Sequence, residues 1–265
     1  MLHCPDDTPG GALPLDALES LLAVCREERP DVVVLLGPFV DLQHPLVAHG
    51  DCDDYDQVFA EIVDLLRLTL DADLPSTRVL LLPSLRDVHH PHPLLPQPPL
   101  SLPCPHPRLH CFPNPSFFRL NEVVCAALSE DLLFALSATV ISTPSEDRFA
   151  RILEQLLRQR SFAPISPTPK GYNVSASRLD ALDFPAMLPD VLFLASDLRF
   201  FVKRVCGVLC VNLGRLVKGV SNGTYTALRI RPFDHDLLDQ AIDIDHTKPI
   251  PHHILDRAHV EMRRI

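Results

Sequence analysis

The sequence predicts an α/β fold with parallel strand pairing, and three observations carry that expectation. Two short runs, Asp31-Val-Val-Val-Leu-Leu-Gly37 and Val79-Leu-Leu-Leu-Pro83, are apolar without interruption, as strands covered on both faces of a parallel sheet must be. Between them, apolar positions fall at helical spacing, so strand, helix and strand alternate. The 265 residues are 46% hydrophobic, enough to bury a sizeable core.

Each element follows from its pattern. Leu15, Leu18, Leu21, Leu22 and Cys25 recur at helical spacing behind Pro14, a residue suited to a first helical turn. Asp31 to Gly37 is the first strand. Val58, Ile62, Leu65 and Leu66 share one face of a helix from about Tyr55 to Leu70, which leads into the second strand. Residues 83–115 hold 11 of the 27 prolines and five histidines, a density that excludes helix and central strand. Ser116 to Leu128 reads as two short strands joined near Asn121-Glu122. A short helix is expected over Asp131 to Leu136. A longer one opens at Ser145-Glu-Asp147, with Phe149, Ile152, Leu153, Leu156 and Leu157 as its stripe. After a proline-containing loop from Ser161 to Pro189, Val191 to Ala195 is a buried strand. Cys206 to Val211 and Thr224 to Ile230 are two more, and Ala258 to Ile265 returns as an edge strand. Cys206 and Cys210 sit in an apolar segment, where cysteine acts as a small hydrophobe.

Composition narrows the function classes. Lys plus Arg number 24 against 34 Asp plus Glu, a net charge of −10, which argues against autonomous nucleic-acid binding. Only nine glycines accompany the prolines, excluding collagen and flexible glycine linkers. Met1-Leu-His-Cys-Pro-Asp-Asp7 lacks the basic and apolar regions of a signal peptide. The longest apolar run, Val32 to Val40, falls short of the about 20 residues a membrane span needs, so a soluble chain is expected. Eight cysteines without a secretory signal read as reduced thiols of the cytosol or nucleus.

The strand ends hold the candidate chemistry. Gly37-Pro-Phe-Val-Asp41, Pro83-Ser-Leu-Arg-Asp87 and Ala195-Ser-Asp-Leu-Arg199 sit where ligand groups converge in α/β folds. One reading is a two-metal phosphoesterase with Asp41, Asp87, His89 and Asp197; the other is a strand-end network in which Arg86 and Arg199 pair with carboxylates. Donor counting separates them. A calcineurin-like phosphoesterase uses Asp-x-His, Gly-Asp-x-x-Asp, Gly-Asn-His-Asp/Glu and Gly-His-x-His. No glycine here is followed by His or Asn-His. Gly50-Asp-Cys-Asp-Asp54 matches the second pattern literally but lies in an acidic loop, and nothing of the series follows Asp87-Val-His89. His89, His90, His92, Cys104, His106, His110 and Cys111 suggest zinc, yet the two cysteines stand seven apart with proline between. Gly214 to Gly219 lacks the Lys-Ser/Thr of a phosphate loop, and no Gly-x-Ser-x-Gly occurs. Pro93-Leu-Leu-Pro96 and Pro96-Gln-Pro-Pro99 have the spacing of a proline-rich ligand, which arises easily at this proline density.

Several blocks together carry a resemblance. They are Leu35-Leu-Gly-Pro-Phe-Val-Asp41 with His44, Leu82-Pro-Ser-Leu-Arg-Asp-Val-His-His90, Pro96-Gln-Pro-Pro99 and Asn114-Pro-Ser116. Further along stand Ser129-Glu-Asp-Leu-Leu-Phe134, Ser196-Asp-Leu-Arg-Phe-Phe-Val-Lys203 and Cys210-Val-Asn-Leu-Gly-Arg-Leu-Val-Lys-Gly219. In this order they resemble the family of the DNA polymerase alpha B subunit. The resemblance implies a calcineurin-like metallophosphoesterase sandwich, mixed sheets flanked by helices, that has lost its metal ligands. Gly37, Pro38 and Asp41 would occupy the place of Gly-Asp-x-x-Asp. Ser84, Arg86 and Asp87 would stand for Gly-Asn-His-Asp, and Asn212 and Arg215 for Gly-His-x-His. It implies no cofactor, metal or catalytic residue. Residues 1–265 would form one inactive phosphoesterase-like domain lacking its first strand and the amino-terminal OB domain, with 83–115 as a proline-rich loop insertion. It implies a nuclear accessory subunit that binds the carboxy-terminal domain of the polymerase alpha catalytic subunit. Primase and DNA would be reached only through the complex, and no membrane is involved.

Overall fold

A computed structural model describes residues 15–50, 54–139, 147–169, 172–218, 221–234 and 252–265. Its elements run α1 (Leu15–Glu28), β1 (Val32–Leu36), α2 (Pro45–His49), α3 (Tyr55–Ala72), β2 (Arg78–Leu82), β3 (Leu109–Cys111), β4 (Ser116–Leu120) and β5 (Val123–Leu128). Then come α4 (Leu132–Thr139), α5 (Arg148–Gln159), a 3-10 helix (Ala176–Leu182), β6 (Val191–Leu194), β7 (Phe201–Val205) and β8 (Val208–Asn212). The chain closes with β9 (Val217–Lys218), β10 (Ser221–Asn222), β11 (Thr224–Ile230), α6 (Ile254–Arg257) and β12 (Ala258–Arg264).

Two sheets form the body. One is parallel, in the order β1-β2-β3; the other is mixed, in the order β4-β5-β6-β8-β7, with β5, β6 and β8 parallel and antiparallel strands at its edges. The strand period of two sorts their side chains into layers. On β2, Val79 and Leu81 join Leu18, Leu21 and Leu22 of α1 and Ile62, Val63 and Leu66 of α3. Leu80 and Leu82 point the other way, into a core shared with Cys125, Ala127, Val191, Phe193, Leu209 and Val211 of the second sheet. The opposite face of that sheet, Ala126, Leu128, Leu192, Leu194, Val208 and Cys210, packs on α4 and α5. The result is helices, sheet, sheet, helices, a mixed α/β sandwich.

Helix ends follow local chemistry. Asp54 accepts from Gln57 N at 2.9 Å to open α3, and Asp147 accepts from Ala150 N at 3.0 Å to open α5. Ser145 and Glu146, where the sequence places the start of that helix, lie outside the described residues, as does Pro14.

Two expectations need correction. Strand β1 is half-buried at all five positions rather than covered, because it is the outermost strand of its sheet among the described residues and borders a large cavity. The strand expected over Cys206 to Val211 is instead the second arm of a hairpin. Cys206 and Gly207 turn with φ of 50° and 82°, the geometry a tight hairpin requires, and β7 is the first arm. Cys206 is therefore exposed at the turn, while Cys210 is buried. The proline-rich stretch, as expected, contains neither helix nor central strand; the strand it does supply, β3, is a three-residue edge strand.

Candidate functional site

The parallel strands of both sheets end on the same side, and their carboxyl ends form one polar network. Asp87, four positions beyond the turn after β2, has a fully buried side chain. Its Oδ1 accepts from Phe39 N at 2.5 Å and Val40 N at 3.0 Å, and its Oδ2 from Ser84 N at 2.8 Å. Burial pushes the Asp87 carboxyl up to about 7, against the pull of those three donors. Gly37 permits this approach: a Cβ there would stand 2.5 Å from Asp87 Oδ2 and 2.9 Å from Ser84 N. Pro38 follows and leads the chain into the loop that carries Phe39 and Val40 over the carboxylate.

Asp41 faces Arg86 in a bidentate pair, with Nε to Oδ1 at 3.0 Å and Nη2 on Oδ2. Backbone bonds hold the two loops together, Leu42 N to Arg86 O at 2.9 Å and Val88 N to Val40 O at 3.0 Å. At the end of β8, Asn212 is wholly buried. Its Oδ1 accepts from Ser196 N at 3.1 Å, and its amide donates to Leu198 O at 3.1 Å. Arg215 forms a second bidentate pair, with Asp197.

The sequence-level candidates thus fall into two groups, one around Asp87 and one around Asn212. The residues that join them were not singled out. Glu130 Oε1 accepts from Ser84 Oγ at 2.9 Å and Leu85 N at 2.6 Å, while Asp131 accepts from Ser196 Oγ at 2.5 Å and Asp197 N at 2.9 Å. Burial pushes the Glu130 carboxyl up, opposed chiefly by the Leu85 amide. Gln97 and Asn114, both buried, complete the stitch. Gln97 donates to Ser84 O at 3.1 Å, and Asn114 donates to Gln97 Oε1 at 3.0 Å while accepting from Ser129 N at 3.2 Å. Their sequence signal was their place in the blocks Pro96-Gln-Pro-Pro99, Asn114-Pro-Ser116 and Ser129-Glu-Asp-Leu-Leu-Phe134, which carried the resemblance without assigning these residues a site role.

The four side chains of a rearranged metal site do not assemble as a ligand set, although His89 Nδ1 lies 3.9 Å from Asp87 Oδ1. Asp41 and Asp197 are each engaged by an arginine, and Asp87 is enclosed by amides. His89 stacks on Phe59 with ring centroids 4.2 Å apart, and burial pushes its pKa down to about 4. Nor do the zinc candidates assemble: His106 bonds Asp71, and His90 lies against Pro98 O. Among the described residues, no three His, Cys, Asp or Glu are grouped to hold a metal ion.

Residues 4–203 match the model of the family described as the DNA polymerase alpha/epsilon B subunit. The chain belongs to that family. It is 34% identical to the DNA polymerase alpha B subunit of Mus musculus over 239 residues, covering 87% of this chain and 39% of the relative. The corresponding protein of Schizosaccharomyces pombe is 32% identical over 234 residues, 84% of this chain and 40% of that one. That of Saccharomyces cerevisiae is 25% identical over 298 residues, 94% and 42%. The chain thus spans about two fifths of the length of the curated relatives it matches. The family match takes in β1, β2, β5 and β6 with their polar ends, and reaches into β7.

Proposed function

We propose that this chain is a non-catalytic accessory subunit of the DNA polymerase alpha–primase complex, built on a calcineurin-like phosphoesterase scaffold that has lost its metals. Residues 1–265 would be one such domain, with 83–115 as its proline-rich insertion. The observation that carries the reading is the pair of arginines at the strand ends. Arg86 and Arg215 put fixed positive charge against Asp41 and Asp197, where a two-metal site would need free carboxylates. The degenerate positions Gly37, Pro38, Ser84, Asp87 and Asn212 then serve structure: each makes a turn, admits a close approach or satisfies buried backbone groups. Membership of the polymerase B-subunit family supports the replication role and the nuclear location.

On this reading the chain binds the carboxy-terminal domain of the catalytic subunit and reaches primase and DNA through the assembly. The net charge of −10 fits indirect contact with DNA. Co-expression with that carboxy-terminal domain should yield a complex that survives size exclusion. The folded chain alone should leave duplex DNA unshifted at physiological salt. Failure to co-elute, or turnover of a phosphodiester with stoichiometric Mn, Fe or Zn by elemental analysis, would refute the reading.

A further inference from the structure

Strand β7 is the outer strand of the five-stranded sheet, with β8 as its one neighbour among the described residues. The backbone fixes its free edge. Leu209 N to Asp190 O at 2.9 Å and Leu213 N to Leu194 O at 3.0 Å give the odd residues of the β8 segment to β6. Amide and carbonyl groups alternate between edges along a strand, so Val208, Cys210 and Asn212 serve β7 through their partners Val205, Lys203 and Phe201. Phe200, Val202 and Arg204 therefore point theirs away from the sheet.

The side chains sort the same way. Phe201, Lys203 and Val205 turn towards α5. Phe149 stacks on Phe201 with ring centroids 5.4 Å apart, Asp147 pairs with Lys203 at 2.5 Å, and Val205 belongs to the core around α4 and α5. Val202 and Arg204 stand opposite Val211 and Leu209, which are buried between the sheets. Yet Val202 is 40% exposed and Phe200 43%, so the cover over Val211 and Leu209 stops short of β7. An unpaired edge with apolar side chains is a template for another strand.

The sequence of β7 itself selects that strand. Phe200-Phe-Val-Lys-Arg204 reads aromatic, aromatic, valine, cation, cation, and turned about Val202 it complements itself. In an antiparallel pair of two copies centred there, Val202 meets Val202, Phe201 meets Lys203, and Phe200 meets Arg204. Each outward-pointing residue faces another outward-pointing one, so the hydrogen-bond pattern closes. Each cation faces an aromatic ring, an attraction already present within one chain, where Lys203 Nζ lies 5.6 Å from the centre of the Phe201 ring. The neighbouring registers fail. A centre at Phe201 sets Lys203 against Arg199, and a centre at Lys203 sets that lysine against itself, both unfavourable like-charge pairs. With the centre at Val202, the two Arg204 side chains stand four residues apart along the strands. That is about 14 Å, beyond the screening length at physiological salt.

We propose that β7 is a self-association edge, through which two copies of this chain join antiparallel about a two-fold axis at Val202. The two five-stranded sheets then become one of ten strands. Each copy places its Lys203 beside a hollow of about 300 Å³ that Phe149, Arg199, Phe200 and Phe201 line in the other. Main-chain bonds from three residues of each copy supply the attraction, and the aromatic–cation pairs fix the register. Five residues a side fall well below the roughly 20–30 of a standard interface, so the association is weak and follows concentration. The inference rests on β7 and is independent of the replication reading.

Sedimentation velocity on the 265-residue chain tests it. The average mass should rise from one chain towards two as concentration climbs through about 10 to 500 μM. Val202→Glu sets two carboxylates against each other on the axis and should weaken pairing at least about tenfold. Val202→Lys should do the same. An equimolar mixture of the two variants should recover the pair, because glutamate then faces lysine. The position is exposed, so both variants should keep the circular dichroism of the parent chain. If neither folds, Val202→Cys decides. Hydrogen-bonded antiparallel pairs hold their Cα atoms about 5.5 Å apart, within disulfide reach, so mild oxidation should link two chains. The yield should exceed what exposed Cys206 gives in the parent. A single-chain mass at every concentration overturns the proposal. So does a Val202→Glu chain that still pairs, a mixture that stays monomeric, or a Val202→Cys chain that links no better than the parent.

Discussion

Asp87 shows how a residue type expected at a metal site becomes a structural one. Three backbone amides converge on a carboxylate that meets no solvent. Asp87→Ala would strand all three, and at about 1–3 kcal/mol for each buried unsatisfied donor the loss should reach at least about 3 kcal/mol in chemical denaturation. A change below about 1 kcal/mol would show that the amides find other partners. His89 behaves differently. Its pKa falls from 6.5 to about 4 on burial, so the unfolded chain takes up the proton first as pH drops. The stability that depends on the neutral ring is complete above about 6.5 and is lost progressively towards about 4. Relative to His89→Phe, which keeps the stack on Phe59 and cannot titrate, the chain should weaken over that window by at most about 1.4 kcal/mol per pH unit. A parallel pair of stability curves would contradict this. Gly37, Asp41 and Asp87 were legible because each follows a strand in the sequence. Glu130, Gln97 and Asn114 were not, because only the meeting of two sheets brings them to Ser84.

Among the elements, those with a strong local pattern match their sequence signals within a few residues: α1, α3, α5 and the strands β2, β5 and β6. Strand β7 was missed because Phe200-Phe-Val-Lys-Arg-Val205 mixes charge with apolar residues and its turn has cysteine where asparagine is usual. The covering of β1 was misjudged because composition reports what a strand could bury and says nothing of its neighbours. Helix α5 offers a clean measurement. Asp147 caps Ala150 N and also takes an ion pair from Lys203 at 2.5 Å, which holds its carboxyl below the usual range. Asp147→Ala should cost about 1 kcal/mol, and Asp147→Asn, which keeps the capping oxygen, clearly less. Equal losses for the two variants would assign the effect to Lys203 instead.

In the whole molecule, the parallel pairing and the flanking helices were readable from strand–helix–strand order alone. The sandwich of two sheets came only with the family resemblance, since period-two alternation in β2 or β6 is hidden when both faces are apolar. The proline-rich stretch is the sharpest case. Residues 83–115 have the makeup of a tether, yet Leu95, Gln97, Leu100 and Asn114 are all buried, at 0%, 1%, 5% and 0% exposure. Native-state digestion with a broad-specificity protease should therefore spare this stretch, and early cleavage within it would show the anchoring to be weak. Its prolines then have a use beyond excluding helix. Each fixes one backbone angle before folding begins, so the loop loses less freedom on ordering than another sequence of equal length would. Removing residues 91–108 to simplify the protein should bring the two sheets apart instead of shortening a surface loop.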